Sequence, residues 1–359
     1  MHSYILTGIR MGPFVRLLRK NGVTPSPRNL GRVLFIFQNS LWASFFAWRE
    51  RKKLKEQIKS YPVPDDPVFI IGHWRTGSTF LHHLLALDEK FLAPSLFQVT
   101  LPEGFLVSDR YYRPVMGAVL KQRPMDNVVL GFDDPQEDEF ALLKLTGESP
   151  LQMVIFPGDK RYFIRNPEDF NPSKETKAYW QDQFRNFCRK VARDSGKKLL
   201  LKNPAHSLRI PLLLETFPNA RFIHIHRHPY KVAASSLNLW KVMAKDNQLK
   251  GKPCHPSLEE VTGGLDLFYR EIQRCFKNIP EGRRCEVAYE DLEKSPVEEI
   301  RKIYSSLGLD FTDDFKVRIG AYLDRTRNFR KNSYIFGDSD KKYVYERLKH
   351  QFQRYQYPE

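Results

Sequence analysis

The stretch Pro67–Leu85, PVFIIGHWRTGSTFLHHLL, decides the fold. Val68–Ile71 is a short apolar run closed by Gly72, which reads as a buried strand. Apolar residues resume at helical spacing over Thr79–Leu85. Between the two, Gly72 to Thr79 spells G-x-x-x-x-G-S-T, the Walker A phosphate loop with Ser78 in the lysine's place. Gly72 and Gly77 allow positive φ and close backbone approach. The free N–H groups of the helix that follows, together with its dipole, favour an anion. Arg75 supplies a cation three residues before Ser78, as a planar fork suited to oxyanions. Arg75, Thr76, Gly77, Ser78 and Thr79 are therefore candidate ligands of a phosphate or sulfate. Nucleotide hydrolases need the missing lysine on their β- and γ-phosphates, beside a magnesium-binding hydroxyl. Its replacement points to an anion held without metal.

A second junction follows the same plan. Ala220–His226, ARFIHIH, alternates as a strand and runs into Arg227-His228-Pro229-Tyr230-Lys231-Val232-Ala233-Ala234-Ser235. Pro229 suits the first turn of a helix. Arg227 sits at the strand end, with the Ser235 hydroxyl two turns on. The pair of motifs carries a resemblance. H-W-R-T-G-S-T resembles the 5′-phosphosulfate loop of the sulfotransferases that use 3′-phosphoadenosine 5′-phosphosulfate (PAPS). R-H-P followed by a serine eight residues after the arginine resembles their 3′-phosphate motif. The resemblance covers about residues 66–335. It implies that Thr76–Thr79 cradle the 5′-phosphate and that Arg227 and Ser235 hold the 3′-phosphate.

Lys198–Lys202 reads as a third buried strand, leading into Lys202-Asn203-Pro204-Ala205-His206. Strand C-terminal ends are where open α/β sheets bind ligands. Similar sulfotransferases carry a lysine here and often a histidine soon after, which serves some as a base; His206 stands four residues beyond Lys202, and Ser207–Phe217 reads as the following helix. Gly131–Leu145, GFDDPQEDEFALLKL, places Glu137, Asp138 and Glu139 just before an apolar helical run capped by Asp134-Pro135. Acids in a first turn favour the helix dipole, or one of them faces the anion site. Arg123–Asn127 and Pro135–Glu139 resemble a segment of bacterial sulfotransferases. The base is thus Glu137 or His206, and Arg75 and Lys202 are the cations for charge developed in transfer. Cys285–Leu292 reads as a strand followed by acids, with Glu290 or Asp291 capping or orienting. The basic tail Thr326–Tyr334 resembles the loop that closes over the cofactor in relatives, with Arg330 and Lys331 as candidates.

The chain has 359 residues, 41% of them apolar, which is ample for a core, and a net charge of +16. Such charge implies anionic partners. No nucleic-acid-binding module is recognisable, which leaves a phosphorylated cofactor and an anionic membrane surface. Cys188, Cys254, Cys275 and Cys285 show neither C-x-x-C nor zinc spacing and suit a reduced, cytoplasmic chain. Val33–Trp48, VLFIFQNSLWASFFAW, is aromatic and flanked by Arg and Lys, but too short and polar to span a bilayer. It suits an interfacial helix or one packed on the core or a second subunit. Tyr61–Pro67 is a proline-punctuated linker, dividing a helical, aromatic, basic appendage (1–60) from a catalytic domain (61–359). Asn238–Lys252 reads as a basic, flexible stretch able to lid the site.

The expected fold is α/β: a P-loop-like central parallel sheet flanked by helices, with the N-terminal helical appendage. The expected activity is PAPS-dependent transfer of a sulfuryl group to an acceptor hydroxyl, without metal. The aromatic N-terminal stretch and the apolar residues Phe97, Leu101, Phe105, Leu106, Val115, Met116 and Leu120 point to a lipophilic alcohol such as a sterol or lipid. Two other classes stay open. A P-loop kinase or NTPase-like phosphotransferase lacks its lysine and leaves Arg227–Ser235 without purpose. A non-catalytic membrane-surface or polyanion-binding protein explains the charge but neither loop. Oligomeric state is not legible.

Overall fold

The computed structural model describes residues 5–24, 26–117, 131–157, 170–251, 254–327 and 336–359. Arg330, Lys331, Arg123–Asn127 and the side chains of Val115, Met116 and Leu120 lie outside the described residues. The chain begins with α1 (Met11–Lys20) and the long α2 (Leu30–Ser60), then β1 (Val68–Ile71), α3 (Ser78–Leu85) and β2 (Phe91–Leu92). Next come α4 (Leu96–Thr100), α5 (Phe105–Gly117), α6 (Glu139–Thr146), α7 (Gln152–Ile155), α8 (Lys177–Ala192) and β3 (Lys198–Lys202). A 3₁₀ turn (Pro204–Leu208) and α9 (Ile210–Thr216) lead to β4 (Arg221–His226), α10 (Pro229–Asn247), α11 (Leu258–Phe276) and β5 (Arg284–Ala288). The chain ends through α12 (Tyr289–Lys294), α13 (Pro296–Ser306), α14 (Asp313–Thr326) and α15 (Asp338–Tyr355).

The strands form one parallel sheet in the order β2-β3-β1-β4-β5. β1 lies at its centre, with Ile70 opposite Lys202 and Ile71 opposite His224. Every residue of β1 is buried, as a parallel strand covered on both faces requires. Alternate side chains feed two different cores, following the two-residue period of a strand. Phe69, Leu199, Leu201 and Phe222 face α6, α8 and α9. Val68, Ile70, Leu200 and Ile223 face α3, α13 and α14. The expected α/β architecture with a parallel sheet and helices on both faces is the one the chain adopts.

The N-terminal helices are packed into this body. Ile5, Leu6, Ile9, Phe14, Leu17, Val33 and Ile36 share a core with α10, α11 and α15. Arg32 donates to the carbonyls of Lys245 and Gln248 at the end of α10. Glu50 of α2 forms a fully enclosed ion pair with Lys190 of α8, and accepts the Leu106 N–H at 2.9 Å. Burial pushes the Glu50 carboxyl up and the Lys190 ammonium down from their ordinary values.

Three local expectations differ. Asn238–Lys252 is not a free lid: α10 is continuous to Asn247, with Leu239, Trp240, Met243 and Ala244 buried, and Leu249 is buried beyond it. The helix expected from Asp134 starts at Glu139 instead. Pro135 bridges to Ser95, and the Leu96 N–H donates to the Asp134 carbonyl, so tertiary pairing holds that segment extended. Pro204 and the Asn203 side chain, which accepts the Ala205 N–H, produce a 3₁₀ turn before α9 rather than one helix from Ser207.

Candidate active site

Three neighbouring strands end on one edge of the sheet, and each delivers a cation. β1 leads into the glycine loop with Arg75, β3 ends at Lys202, and β4 is followed by Arg227. The loop's shape comes from two glycines. Gly72 has φ 141° and lies so close to Ile225 that a Cβ would meet its carbonyl oxygen at 2.4 Å. Gly77 has φ 93° and opens α3; a Cβ there would strike the Tyr289 ring at 2.0 Å. Arg75 itself takes φ 73°, sparsely populated for a side-chain-bearing residue and a common mark of functional loops. The Ser207 hydroxyl accepts the Gly72 N–H at 2.9 Å, pinning the loop to the turn after β3.

The two anion motifs are joined directly. Arg75 Nε donates to Ser235 Oγ at 2.8 Å, and Arg227 Nη1 donates to the Arg75 carbonyl at 3.4 Å. The Arg227 guanidinium lies 4.2 Å over the Tyr289 ring. Burial holds it below its ordinary pKa, the mark of a partly dehydrated cation. Glu290 accepts the His228 N–H at 3.0 Å, so the acid expected to orient does so on the 3′-phosphate motif's own backbone. Tyr357 joins from the C-terminal tail, its hydroxyl 2.8 Å from His226 Nδ1 and 3.2 Å from Glu290.

On the other side, Lys202 Nζ is 2.6 Å from Glu137 Oε1 and 3.5 Å from Thr79 Oγ1. Lys202 is almost wholly buried, whereas the Glu137 side chain keeps 13% exposure, enough to meet a ligand. His206 has none: it is 0% exposed, with Nε2 3.1 Å from Asp138 and its ring against Phe69 and Phe184. The two candidate bases therefore occupy different environments, and Glu137 alone of them faces the cations.

Behind Glu137 runs a buried polar web that the sequence did not announce. Asn203 Nδ2 donates to Asp138 and Glu139 at 2.6 Å each, and Arg209 forks onto Glu139 at 2.6 and 3.2 Å. Burial, the largest single influence, would raise the Glu139 carboxyl, but the Arg209 charge and hydrogen bonds, with His206 and Asn203, together leave it below the usual range. Asp138, Glu139 and His206 offer ligand atoms within 4.8 Å of one another, which is metal-site spacing. Their oxygens are engaged by Asn203, Arg209 and His206. The web fixes the segment that aims Glu137 at Lys202.

His73 gives the loop an acid sensitivity. It is buried against Trp74 and Phe268, with Nδ1 2.9 Å from the Trp74 carbonyl, and burial lowers its pKa to about 4. The unfolded chain protonates this ring near its ordinary value of about 6.5. Stability from the neutral ring is therefore complete above that pH and lost as pH falls toward 4, by about 3 kcal/mol. Melting temperature should fall over this window more steeply in the native chain than in His73→Phe. Parallel curves would show that His73 carries no such linkage.

The model of the sulfotransferase family matches residues 67–313, spanning both anion motifs and β5. The chain belongs to the sulfotransferase family. This sulfotransferase is 32% identical over 304 residues to omega-hydroxy-beta-dihydromenaquinone-9 sulfotransferase Stf3 of Mycobacterium bovis and of Mycobacterium tuberculosis, covering 84% of its own length and 78% of theirs. Its fold is similar to that of sulfotransferase STF9 from Mycobacterium avium, at TM-score 0.69 and 17% identity, covering 96% of this chain and 95% of that one. Sulfotransferase STF1 from Mycobacterium tuberculosis follows at TM-score 0.62 and 17% identity, covering 94% and 90%.

Proposed function

We propose that this sulfotransferase uses PAPS as donor, that its acceptor is the hydroxyl of a lipophilic alcohol, and that the reaction takes place at a membrane surface. The observation that carries the reading is the Lys202–Glu137 couple at 2.6 Å beside Thr79, at the end of the glycine loop. A proton acceptor and a buried cation thus sit where an anion on the loop would meet an acceptor. The residues fit the donor: loop N–H groups and Thr79 for the 5′ side, Arg227 and Ser235 for the 3′-phosphate. Bound there, PAPS supplies a sulfuryl group whose bond to the bridging phosphate oxygen breaks as the acceptor oxygen bonds to sulfur. Glu137 takes the acceptor's proton. Lys202 and Arg75 stabilise charge on the bridging and peripheral oxygens by preorganised electrostatics rather than covalent chemistry. The acceptor class draws support from the relative whose name specifies an omega-hydroxy menaquinone. Phe97, stacked 4.5 Å from Phe132 on the segment leading to Glu137, adds an apolar wall.

Thermal shifts with adenosine 3′,5′-bisphosphate and with ATP plus magnesium test the donor. The bisphosphate at about a hundred times its Kd should add about 2.7 kcal/mol; stabilisation by ATP alone would overturn the reading. Transfer from PAPS to sterols, long-chain alcohols and prenyl alcohols tests the acceptor, and turnover confined to sugars or peptides would refute it. Arg227→Ala should weaken bisphosphate binding tenfold or more, since a charge-assisted contact contributes about 1.5–3 kcal/mol. Ser235→Ala should cost less, because it removes one neutral hydroxyl. Calorimetric affinities unchanged in both would remove these residues from the 3′-phosphate site.

A further inference from the structure

Helix α2 is apolar on two opposite sides between Leu30 and Trp48. One side, with Val33, Ile36, Ala43, Phe46 and Ala47, is buried in the body of the protein. The other carries Leu34, Phe37, Leu41, Trp42, Phe45 and Trp48, each between 43% and 56% exposed. Gln38 is the one polar side chain exposed in that stretch. Its other polar groups are engaged on the helix or its neighbours: Arg32 on α10, Asn39 on the Phe35 carbonyl, Ser44 on the Ser40 carbonyl. The outward stripe from Leu34 to Trp48 is about 21 Å long at 1.5 Å per residue. An apolar face of that extent on a soluble body marks a contact surface.

We propose that this face lies on an anionic lipid leaflet, with α2 parallel to the membrane and its outward side chains in the headgroup–acyl boundary. Charge selects this occupant over a second copy. Arg51, Lys52, Lys53 and Lys55 are exposed on the turns just after the stripe, and Lys52 lies 5.3 Å over the Trp48 ring. Two copies meeting through this face would oppose chains of net charge +16 each, with the clusters themselves adjacent if the helices pair in parallel, whereas an anionic leaflet attracts them, by about fivefold in affinity per cation. Tryptophans at the edge of an apolar stripe are the pattern of interfacial anchoring. None of the described helices is long and apolar enough to cross a membrane, so the contact is lateral.

The helix is also connected through the core to the acceptor side of the proposed site. Phe46, on the back of the stripe, touches Tyr111 and Tyr112 of α5 at 5.6 Å each. Tyr112 reaches Phe97, which stacks on Phe132 before the segment that ends at Glu137. The inference deepens the proposed lipophilic acceptor, which a leaflet under α2 would supply beside α5.

The experiment is co-sedimentation of the full chain with vesicles of phosphatidylcholine, with and without phosphatidylglycerol, at low and high salt. Binding should require phosphatidylglycerol and weaken as salt rises. Leu41→Ser/Trp48→Ser changes only exposed side chains and should lose about tenfold or more in vesicle affinity. The same variant should keep native turnover on a water-soluble short-chain alcohol, which shows that it is folded. Absent vesicle binding, or equal binding by the double variant, would overturn the proposal. So would a native dimer that the double variant turns into a monomer without any vesicle binding. Vesicle binding is read without donor or acceptor. A failure of the acceptor reading is thus seen separately, in the alcohol panel.

Discussion

Lys202→Met should lower turnover by about 10²–10³, the loss expected when one preorganised donor to developing charge is removed. Affinity for adenosine 3′,5′-bisphosphate should change little, because Arg227, Ser235 and the loop N–H groups remain. The substitution keeps the stem's volume in a site with almost no exposure and deletes the ammonium 2.6 Å from Glu137. Glu137→Gln leaves an oxygen to accept from Lys202 but no group to take a proton, and should cost about 10²–10⁴. Combining the two should cost hardly more than the worse single change, since residues that act as a unit are not additive. Steady-state kinetics beside bisphosphate calorimetry checks all three. Full turnover in Lys202→Met would remove the lysine from the mechanism, and multiplicative losses would separate the couple into independent parts.

Gly77→Ala should leave a poorly folded or unstable protein. The added methyl enters at φ 93°, costing about 1–2 kcal/mol for an L-residue in left-handed backbone. It also strikes the Tyr289 ring at 2.0 Å, an overpacking of about 1–3 kcal/mol. A fall in melting temperature of several degrees should follow, with bisphosphate binding weakened because the loop must shift. In a double-mutant cycle, Gly77→Ala should cost less in a Tyr289→Ala background than in the native chain, by the packing share. Equal costs in the two backgrounds would show that the ring is not the obstacle.

The proposed anion half of the site could be assembled from the sequence because its residues are local. Gly72–Thr79 and Arg227–Ser235 are contiguous runs in which spacing alone fixes what each backbone and side chain can reach. β1, β3 and β4 could likewise be read from apolar runs. For the proposed proton-handling half the sequence offered Glu137, His206 and Lys202 but not which of them meet, because it is assembled across the chain. Glu137 meets Lys202, and Asp138 meets Asn203 and His206, from segments 65 to 68 residues apart. Nothing in P-Q-E-D-E says which of three acids points outward. The rule that buried polar groups must be paired would have turned attention to Asn203 and Arg209, but only once burial was known. β2, two residues long, carries too short a pattern to register. α2 was ambiguous for a physical reason: with apolar residues on both sides, its sequence has no helical period to show which face is buried. The structure buries the Val33–Ala47 face and leaves the Leu34–Trp48 face exposed.

The packing of α1 and α2 also sets an order of events during synthesis. The first turn of the chain closes on the far end of α10, where the Ile5 N–H donates to Asn247 across 242 residues. Parallel β1–β3 pairing likewise waits for Leu200 to reach Val68. At ribosomal rates of 5–20 residues per second, the roughly 190 residues between Ser60 and Asn247 take about 10–40 s to appear. For that interval the Val33–Ile36 end of α2 lacks its partners on α10 and α11, and the outward stripe has no cover from the chain at any stage. The nascent chain should therefore engage holdases through this helix, which site-specific crosslinking of stalled nascent chains would detect. Its yield on overexpression should depend on holdase supply or growth temperature rather than on the stability of the finished fold.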